Sequence, residues 1–166
     1  MSRGLSHVDE AGRARMVDVG DKTPARRECI ARGAVHMARA TLAAIVEGTS
    51  PKGDVIAVAR VAGMQAAKRT HEWIPLAHPL PLDVVEIQLR PDPERQRIEI
   101  EACVRAHART GVEMEALVAV AAAGLTVYDM CKAVDRGMTL DAVRLVRKSG
   151  GRSGEWRRPG EERAGP

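Results

Sequence analysis

The chain predicts an α+β domain, a mostly antiparallel sheet with helices packed on one face, and three patterns carry that expectation. Small or apolar residues at Cys29, Ala31, Gly33, Val35 and Met37 alternate with polar Arg26, Glu28, Arg32 and His36, which is the two-residue period of a strand. Residues 82–89 and 97–105 alternate in the same way across the link Pro91-Asp-Pro-Glu-Arg-Gln96, the pattern of a hairpin. Between these lie stretches rich in good helix formers.

Residues 1–24 are polar, with one apolar island at Met16-Val17-Asp18-Val19 that reads as an edge strand or an arm laid on a neighbour. After the first strand a helix is expected over about residues 38–47, stopped by Gly48. Asp54 is placed to cap a second helix reaching about Arg69. Pro75, Pro79 and Pro81 make residues 70–81 a loop, since proline restricts both itself and its predecessor. Beyond the hairpin, Thr110 and Glu113 have capping-box spacing and open the longest helix, running to about Val134 before Gly137. A last strand over residues 142–146, a Ser/Gly loop over 148–154 and a poorly ordered tail complete the chain. The order of elements suits a ferredoxin-like sheet. At 166 residues the chain is long enough for one domain, expected over residues 1–156 with a disordered tail over 157–166.

Composition narrows the partners. Apolar residues make up 45% of the chain, yet Phe is absent and aromatics reach 2%, so the core falls to Ala, Val, Leu, Ile and Met, with subunit contacts expected to add burial. The longest apolar run, residues 117–127, is well short of the roughly 20 residues a bilayer span needs, so no membrane association is expected. The first residues have no apolar signal core, and a cytoplasmic setting would keep Cys29, Cys103 and Cys131 as thiols. Their spacing matches neither a zinc site nor an iron–sulfur cluster, so no protein-held metal is expected. A formal charge of +4 and a pI near 9.3 favour an anionic partner, a phosphorylated small molecule or a nucleic acid. Single-strand readers stack bases on aromatic rings, and Trp73, Trp156 and Tyr128 are all this chain offers, so nucleic acid ranks low.

Several residues stand out as chemistry. Asp129 and Lys132, three apart, share a helix face where a nearly uncharged stretch ends, beside Tyr128 and Cys131. An arbitrary pair of this kind is a surface ion pair, but a partly desolvated carboxylate beside a lysine suits proton transfer. Lys52, between Pro51 and Gly53, can be presented from a loop, and His78 is held between Ala77 and Pro79 in a proline-bounded one. Arg27 interrupts the apolar side of the first strand, where an unpaired cation is costly, so it should reach a sheet edge or meet an anion. Glu113 and Glu115 are accounted for as first-turn helix acids, and Lys148 lies in a Ser/Gly segment with Arg147 and Arg152. Glu115 and Asp129 are 14 residues apart on one expected helix, about 21 Å at 1.5 Å per residue. If both ends of that helix are functional, a second subunit must bring one end to the other.

The blocks Met16-Val-Asp-Val19, Lys52-Gly-Asp54, Ala62-Gly-Met-Gln-Ala-Ala-Lys-Arg-Thr70, Ile74-Pro-Leu-Ala-His-Pro-Leu80, Thr110-Gly-Val-Glu-Met-Glu-Ala-Leu117, Leu125-Thr-Val-Tyr-Asp-Met-Cys-Lys-Ala133 and Lys148-Ser-Gly-Gly151, in that order, closely resemble the MoaC family of cyclic pyranopterin monophosphate synthases. The resemblance implies a ferredoxin-like domain, a homohexamer built as a trimer of dimers, and an active site at the dimer interface. It implies conversion of a cyclised dihydro-GTP into cyclic pyranopterin monophosphate and pyrophosphate, in molybdenum-cofactor biosynthesis. On that pattern Asp129, Lys132 and Lys52 correspond to catalytic positions. Leu76, Ala77, His78, Met114 and Glu115 fall on substrate-contacting positions, and Glu113, Arg27 and Lys148 on further pocket positions. Ala77 departs from the family, which commonly has Cys there. No redox cofactor is implied, and magnesium could accompany the triphosphate.

Overall fold

The computed structural model describes residues 12–151 and 154–161. Strand β1 (Ala25–His36) leads into helices α1 (Arg39–Val46), α2 (Val55–Lys68) and the short α3 (Thr70–Trp73). The hairpin β2 (Val84–Asp92) and β3 (Arg97–Ala108) follows, then α4 (Glu113–Cys131), β4 (Thr139–Ser149) and the two-residue β5 (Trp156–Arg157). The sheet has the order β2-β3-β1-β4-β5 with every neighbouring pair antiparallel, so the ferredoxin-like α+β expectation holds.

The alternation that marked the strands is the alternation of burial. Cys29, Ala31 and Val35 of β1 and Ile98, Ile100, Ala102 and Val104 of β3 point beneath the helices. The opposite side is polar: Arg32 bonds Glu101, Arg105 bonds Glu86 and Arg147 bonds Glu28 across neighbouring strands. The core is aliphatic, as the missing Phe requires; Trp73 and Trp156 are exposed.

Helix α4 is the centre of the core. It packs on β1, β3 and β4 on one side and on α2 along its flank. Its 19 residues make it long and apolar enough to cross a membrane by length and composition, but most of that length is buried inside the fold, as in a core helix. Small residues let it come close. A Cβ on Gly63 of α2 would lie 2.4 Å from Ile87 Cδ1 and 2.9 Å from the Ala119 carbonyl oxygen, and one on Gly33 of β1 would lie 2.8 Å from Val120 Cγ1.

Asp54 caps α2 as expected, its Oδ1 accepting from the Ala57 amide at 2.9 Å. The capping box does not form. Val112 is the N-cap residue of α4, with no side-chain bond, and the Glu113 carboxylate is taken instead by Lys148 Nζ at 2.9 Å. An ammonium brought in by tertiary packing outcompetes a local amide for a carboxylate. Residues 70–81 are not wholly loop: α3 forms because the buried Thr70 hydroxyl bonds back to Ala67 and Ala66, and the prolines act only after it. Strand β4 is longer than expected and takes in Lys148, since pairing with β1 continues to Ser149. Residues 16–19 form no strand and run as an arm along the chain's own loop, where the Val17 carbonyl accepts from His78. Of the expected tail, Arg157 pairs with Arg147 in the sheet and Glu161 bonds Arg32. Arg152 and residues 162–166, like residues 1–11, lie outside the described residues.

The α2–α4 contact supplies a stability test. Gly63→Val should lower the urea midpoint at unchanged m-value, corresponding to about 1–3 kcal/mol, because the Ala119 carbonyl is backbone and cannot give way without shifting a helix. An unchanged midpoint would mean that the two helices are not in close contact.

Candidate active site

Functional side chains gather at the two ends of α4. At its C-terminal end the Asp129 carboxylate lies between two ammonium groups, Lys132 Nζ at 2.6 Å and Lys52 Nζ at 2.9 Å. Lys52 also donates to the Asp129 carbonyl at 3.0 Å, so it meets the negative end of the helix as well as the side chain. The α1–α2 loop presents it there: Gly53 takes φ +86° and donates its amide to the Ser50 carbonyl at 3.0 Å, closing a turn around Lys52.

A distant carboxylate holds that loop in place. Asp135, just past α4, accepts from the Ala38 amide at 2.8 Å and the Thr41 hydroxyl at 3.1 Å, capping α1 where Ala38 cannot. The exit of α4 is thus tied to the start of α1, and the loop after α1 stays beside Asp129.

The triad is open to solvent, with Asp129 55% exposed and Lys132 52%, which corrects the expectation of partial desolvation. In the single chain nothing packs over it among the described residues, because Asp129 lies on the outward face of a turn whose Val127, Met130 and Cys131 are buried in the core. The hydrogen bond from Lys132, then that from Lys52, hold the Asp129 carboxyl down to about 2, and Asp129 in turn raises Lys132 above the usual lysine value. Both groups stay ionised at neutral pH.

The N-terminal end of α4 opens into two adjoining cavities. The first, about 300 Å³, is bounded by Leu76, Ala77 and His78 of the proline loop, by Met114 and Glu115, and by Val17 and Val19 of the arm. His78 is fixed by its Nε2–H, which donates to the Val17 carbonyl at 2.9 Å and so sets the tautomer. The second cavity, about 290 Å³, lies between the ends of β1, β3 and β4 and holds Arg27, Glu113 and Lys148. Arg27 meets a sheet end: its Nε and Nη2 donate to the Ala108 and Arg109 carbonyls at 3.2 and 3.3 Å. Gly151 closes over that guanidinium, and a Cβ there would lie 1.5 Å from Arg27 Nη1.

Glu115 is 4% exposed, and burial pushes its carboxyl up from the usual 4.5 to about 7, with the Glu113 charge adding to the shift. Cys29, beneath the second cavity, has its thiol pushed up to about 12 by burial and then by Glu113, which leaves it inert as a nucleophile. Cys103 and Cys131 are raised the same way, and all three cysteines are free thiols.

The structure thus sorts the residues singled out in the sequence into two groups. Lys52, Asp129 and Lys132 stand together at one end of α4; Arg27, Leu76, Ala77, His78, Glu113, Met114, Glu115 and Lys148 surround two joined cavities at the other. No contact joins the groups within one chain, because the straight helix between Glu115 and Asp129 spans about 21 Å. Sequence reasoning missed Lys22 and Arg109, which also line the second cavity. A lone lysine in a polar arm and an arginine after a strand carry no spacing that marks them.

The MoaC family model matches residues 16–151 of this chain. Cyclic pyranopterin monophosphate synthase of Pelotomaculum thermopropionicum is 62% identical over 159 residues, 96% of this chain and 94% of that protein. The proteins of the same name from Thermomicrobium roseum and Rhodospirillum rubrum are 59% and 57% identical, covering 95% and 92% of this chain and 95% and 92% of their own lengths.

Burial of Glu115 makes stability depend on pH. Its folded value lies above its unfolded one, so between about 4.5 and about 7 the folded chain keeps a proton that the unfolded chain has released, and stability falls as pH rises through that window. Glu115→Gln should therefore gain on the wild type in thermal midpoint across that window, by up to about 3 kcal/mol, and show no pH-dependent gain below it. A midpoint difference that is flat from about pH 4 to 8 would show that Glu115 does not keep its proton on folding.

Proposed function

The chain belongs to the MoaC family, and from that we propose that it is a cyclic pyranopterin monophosphate synthase, a lyase of molybdenum-cofactor biosynthesis that converts the cyclised dihydro-GTP to cyclic pyranopterin monophosphate and pyrophosphate. The observation that carries the mechanistic reading is the division of charge along α4: a solvent-facing Lys52–Asp129–Lys132 triad at one end and a half-apolar cavity joined to a cationic one at the other. Each is half of a site for a ring system bearing a triphosphate. A two-fold contact between chains would lay the C-terminal end of one α4 over the cavities of its partner, and we place the active site at that dimer interface.

In this reading Lys132 and Lys52 are the proton donors to ring and leaving atoms, because both ammonium groups face solvent on either side of one carboxylate. Asp129, held ionised near 2, orients the two ammonium groups and is too weak a base to abstract a proton itself. Contact with a partner would remove water from the triad and strengthen these interactions. Leu76 and Met114 offer apolar surface to the ring system, His78 and Glu115 offer it hydrogen bonds, and Arg27, Glu113 and Lys148 face the phosphates.

The dimers assemble as a trimer of dimers in this proposal, for which the exposed Val58 and Val61 of α2 and Leu125 of α4 offer apolar surface. The setting is cytoplasmic, no electron carrier takes part, and magnesium would enter with the triphosphate as its counter-ion. Nucleic acid is a poor rival, since the open sheet face carries Arg–Glu pairs and β1 to β4 hold no Phe, Tyr or Trp on which a base could stack.

Purified protein given the cyclised dihydro-GTP should release pyrophosphate and yield a product that oxidises to a fluorescent pterin. Lys132→Ala should leave the oligomer intact in sedimentation while cutting turnover at least about a hundredfold; wild-type turnover would remove Lys132 from the mechanism. Glu115→Ala and Asp129→Ala, each inactive alone, should recover measurable activity when mixed and allowed to exchange subunits. Silence from a mixture that has demonstrably exchanged would rule out a shared site.

A further inference from the structure

We propose that Glu161 is a positioning residue: anchored on the open face of the sheet, it holds residues 154–161 along β4 and so fixes the glycine turn over Arg27 and the strand end that carries Lys148. This rests on the synthase reading above, which gives those two cations to the substrate, and adds to it a clamp whose anchor lies outside the site. The ion-pair partners of Glu161 are Arg32 and Arg144, neither of which lines the cavities at the start of α4.

The open face creates the need for this anchor. Arg32 of β1 and Arg144 of β4 are register partners, so two guanidinium groups stand opposite one another on antiparallel strands, where like charges are destabilising. Arg32 has Glu101 of β3 at 2.7 Å. Arg144 has no carboxylate other than Glu161 among the described residues, and Glu161 bridges the pair, one oxygen bonded to Arg144 and the other to Arg32 Nη1 at 3.0 Å. The Arg144 hydrogen bond holds the Glu161 carboxyl below the usual glutamate value against its burial, so it is ionised at neutral pH. The cavity on this face, about 580 Å³ and lined by five arginines, would otherwise invite an anion from solution. The chain supplies the anion itself.

From that anchor the segment follows β4 in the antiparallel sense. Arg158 donates its Nε–H to the Leu145 carbonyl and its amide to the Val146 carbonyl, each at 2.8 Å, Arg157 pairs with Arg147, and Trp156 pairs with Lys148. Lys148 is thus held from both sides, by Cys29 of β1 and by Trp156 of β5. Without β5 this end of β4 would be an open sheet edge. The Ser149–Gly151 turn is fastened beyond its tip as well, the Gly154 amide donating to the Gly151 carbonyl at 3.2 Å. Gly151 lies so close to Arg27 that a Cβ there would collide with Nη1, so movement of the segment is movement of the cover over that guanidinium.

The pairing of β5 is too slight to keep this arrangement by itself. It is two exposed residues long, and short exposed pairings are the first to open. Glu161, half-buried between two arginines, supplies the grip at the other end of the segment.

Hydrogen exchange on the whole protein reads the turn directly, and turnover of the cyclised dihydro-GTP reads its consequence. In Glu161→Gln the amides of residues 148–151 and 156–158 should exchange roughly tenfold faster or more, while those of α4 keep wild-type protection. Arg144→Gln, which removes the partner, should do the same. Glu86→Gln breaks an Arg–Glu pair on the β2–β3 side of the same face and should leave the turn as it was. In turnover Glu161→Gln should raise KM about fivefold or more with kcat within about twofold, because cations that grip the substrate are displaced while the triad is untouched. Wild-type exchange at the turn, equal loosening of α4, the same loosening in Glu86→Gln, or a loosened turn with unchanged KM each overturns the assignment. A turn that loosens in Glu161→Gln, in a protein whose wild type never converts the cyclised dihydro-GTP, keeps the anchor and loses the synthase reading.

Discussion

Helix α4 lies deep in this fold because the residues beneath and beside it are small. Gly33 on β1, Gly63 on α2, and Ala116, Ala119 and Ala123 on α4 itself remove the side chains that would hold the helix away from the sheet and from α2. Close contact compensates for the missing aromatic bulk, since many short aliphatic contacts at high density replace a few large rings. A helix held this tightly on two sides stays straight, and its two ends stay about 20 Å apart. The chemistry of the chain is organised by that separation.

The two ends solve different problems. At the exit of α4 the orphan carbonyls and Asp129 attract Lys52 and Lys132, and solvent keeps the cluster charged. At the entrance the helix begins inside the protein, so Glu115 is buried and its acidity is weakened, while Glu113, one turn edge away, escapes by pairing with Lys148. Two carboxylates whose ordinary values are 3.8 and 4.5 thus come to lie near 2 and near 7 on one helix, set by water and neighbouring ammonium groups. A site assembled from both ends would have an ionised carboxylate and a neutral one within reach of a single ligand.

Long-range contacts do the positioning. Asp135 caps a helix whose own N-cap residue is alanine, His78 reaches back to the arm at Val17, and Gly150 and Gly151 fold over the strand that carries Arg27. A Cβ at Gly150 would come within 2.0 Å of the Arg26 carbonyl oxygen, and its φ of +95° is one that side-chain-bearing residues avoid. The turn therefore holds Arg27 and Lys148 at one cavity only because both glycines are present.

The chain by itself determined much of this. Periodicity, the Asp54 cap and the proline loop placed the principal elements within a few residues, because each rests on contacts between near neighbours. Lys52, Asp129, Lys132, His78 and Glu115 stood out through local setting and through resemblance to a family. Tertiary structure decided what those local signals could not carry. Glu113 left its capping box for an ammonium on a strand 35 residues away, Thr70 nucleated a turn ahead of the prolines by bonding inward, and Lys148 joined a sheet instead of a loop. Lys22 and Arg109 became cavity walls with no motif to announce them. The physical reason is the same throughout: the partner that wins a charge or a hydrogen-bonding group is the one packing brings nearest, and sequence distance does not measure that.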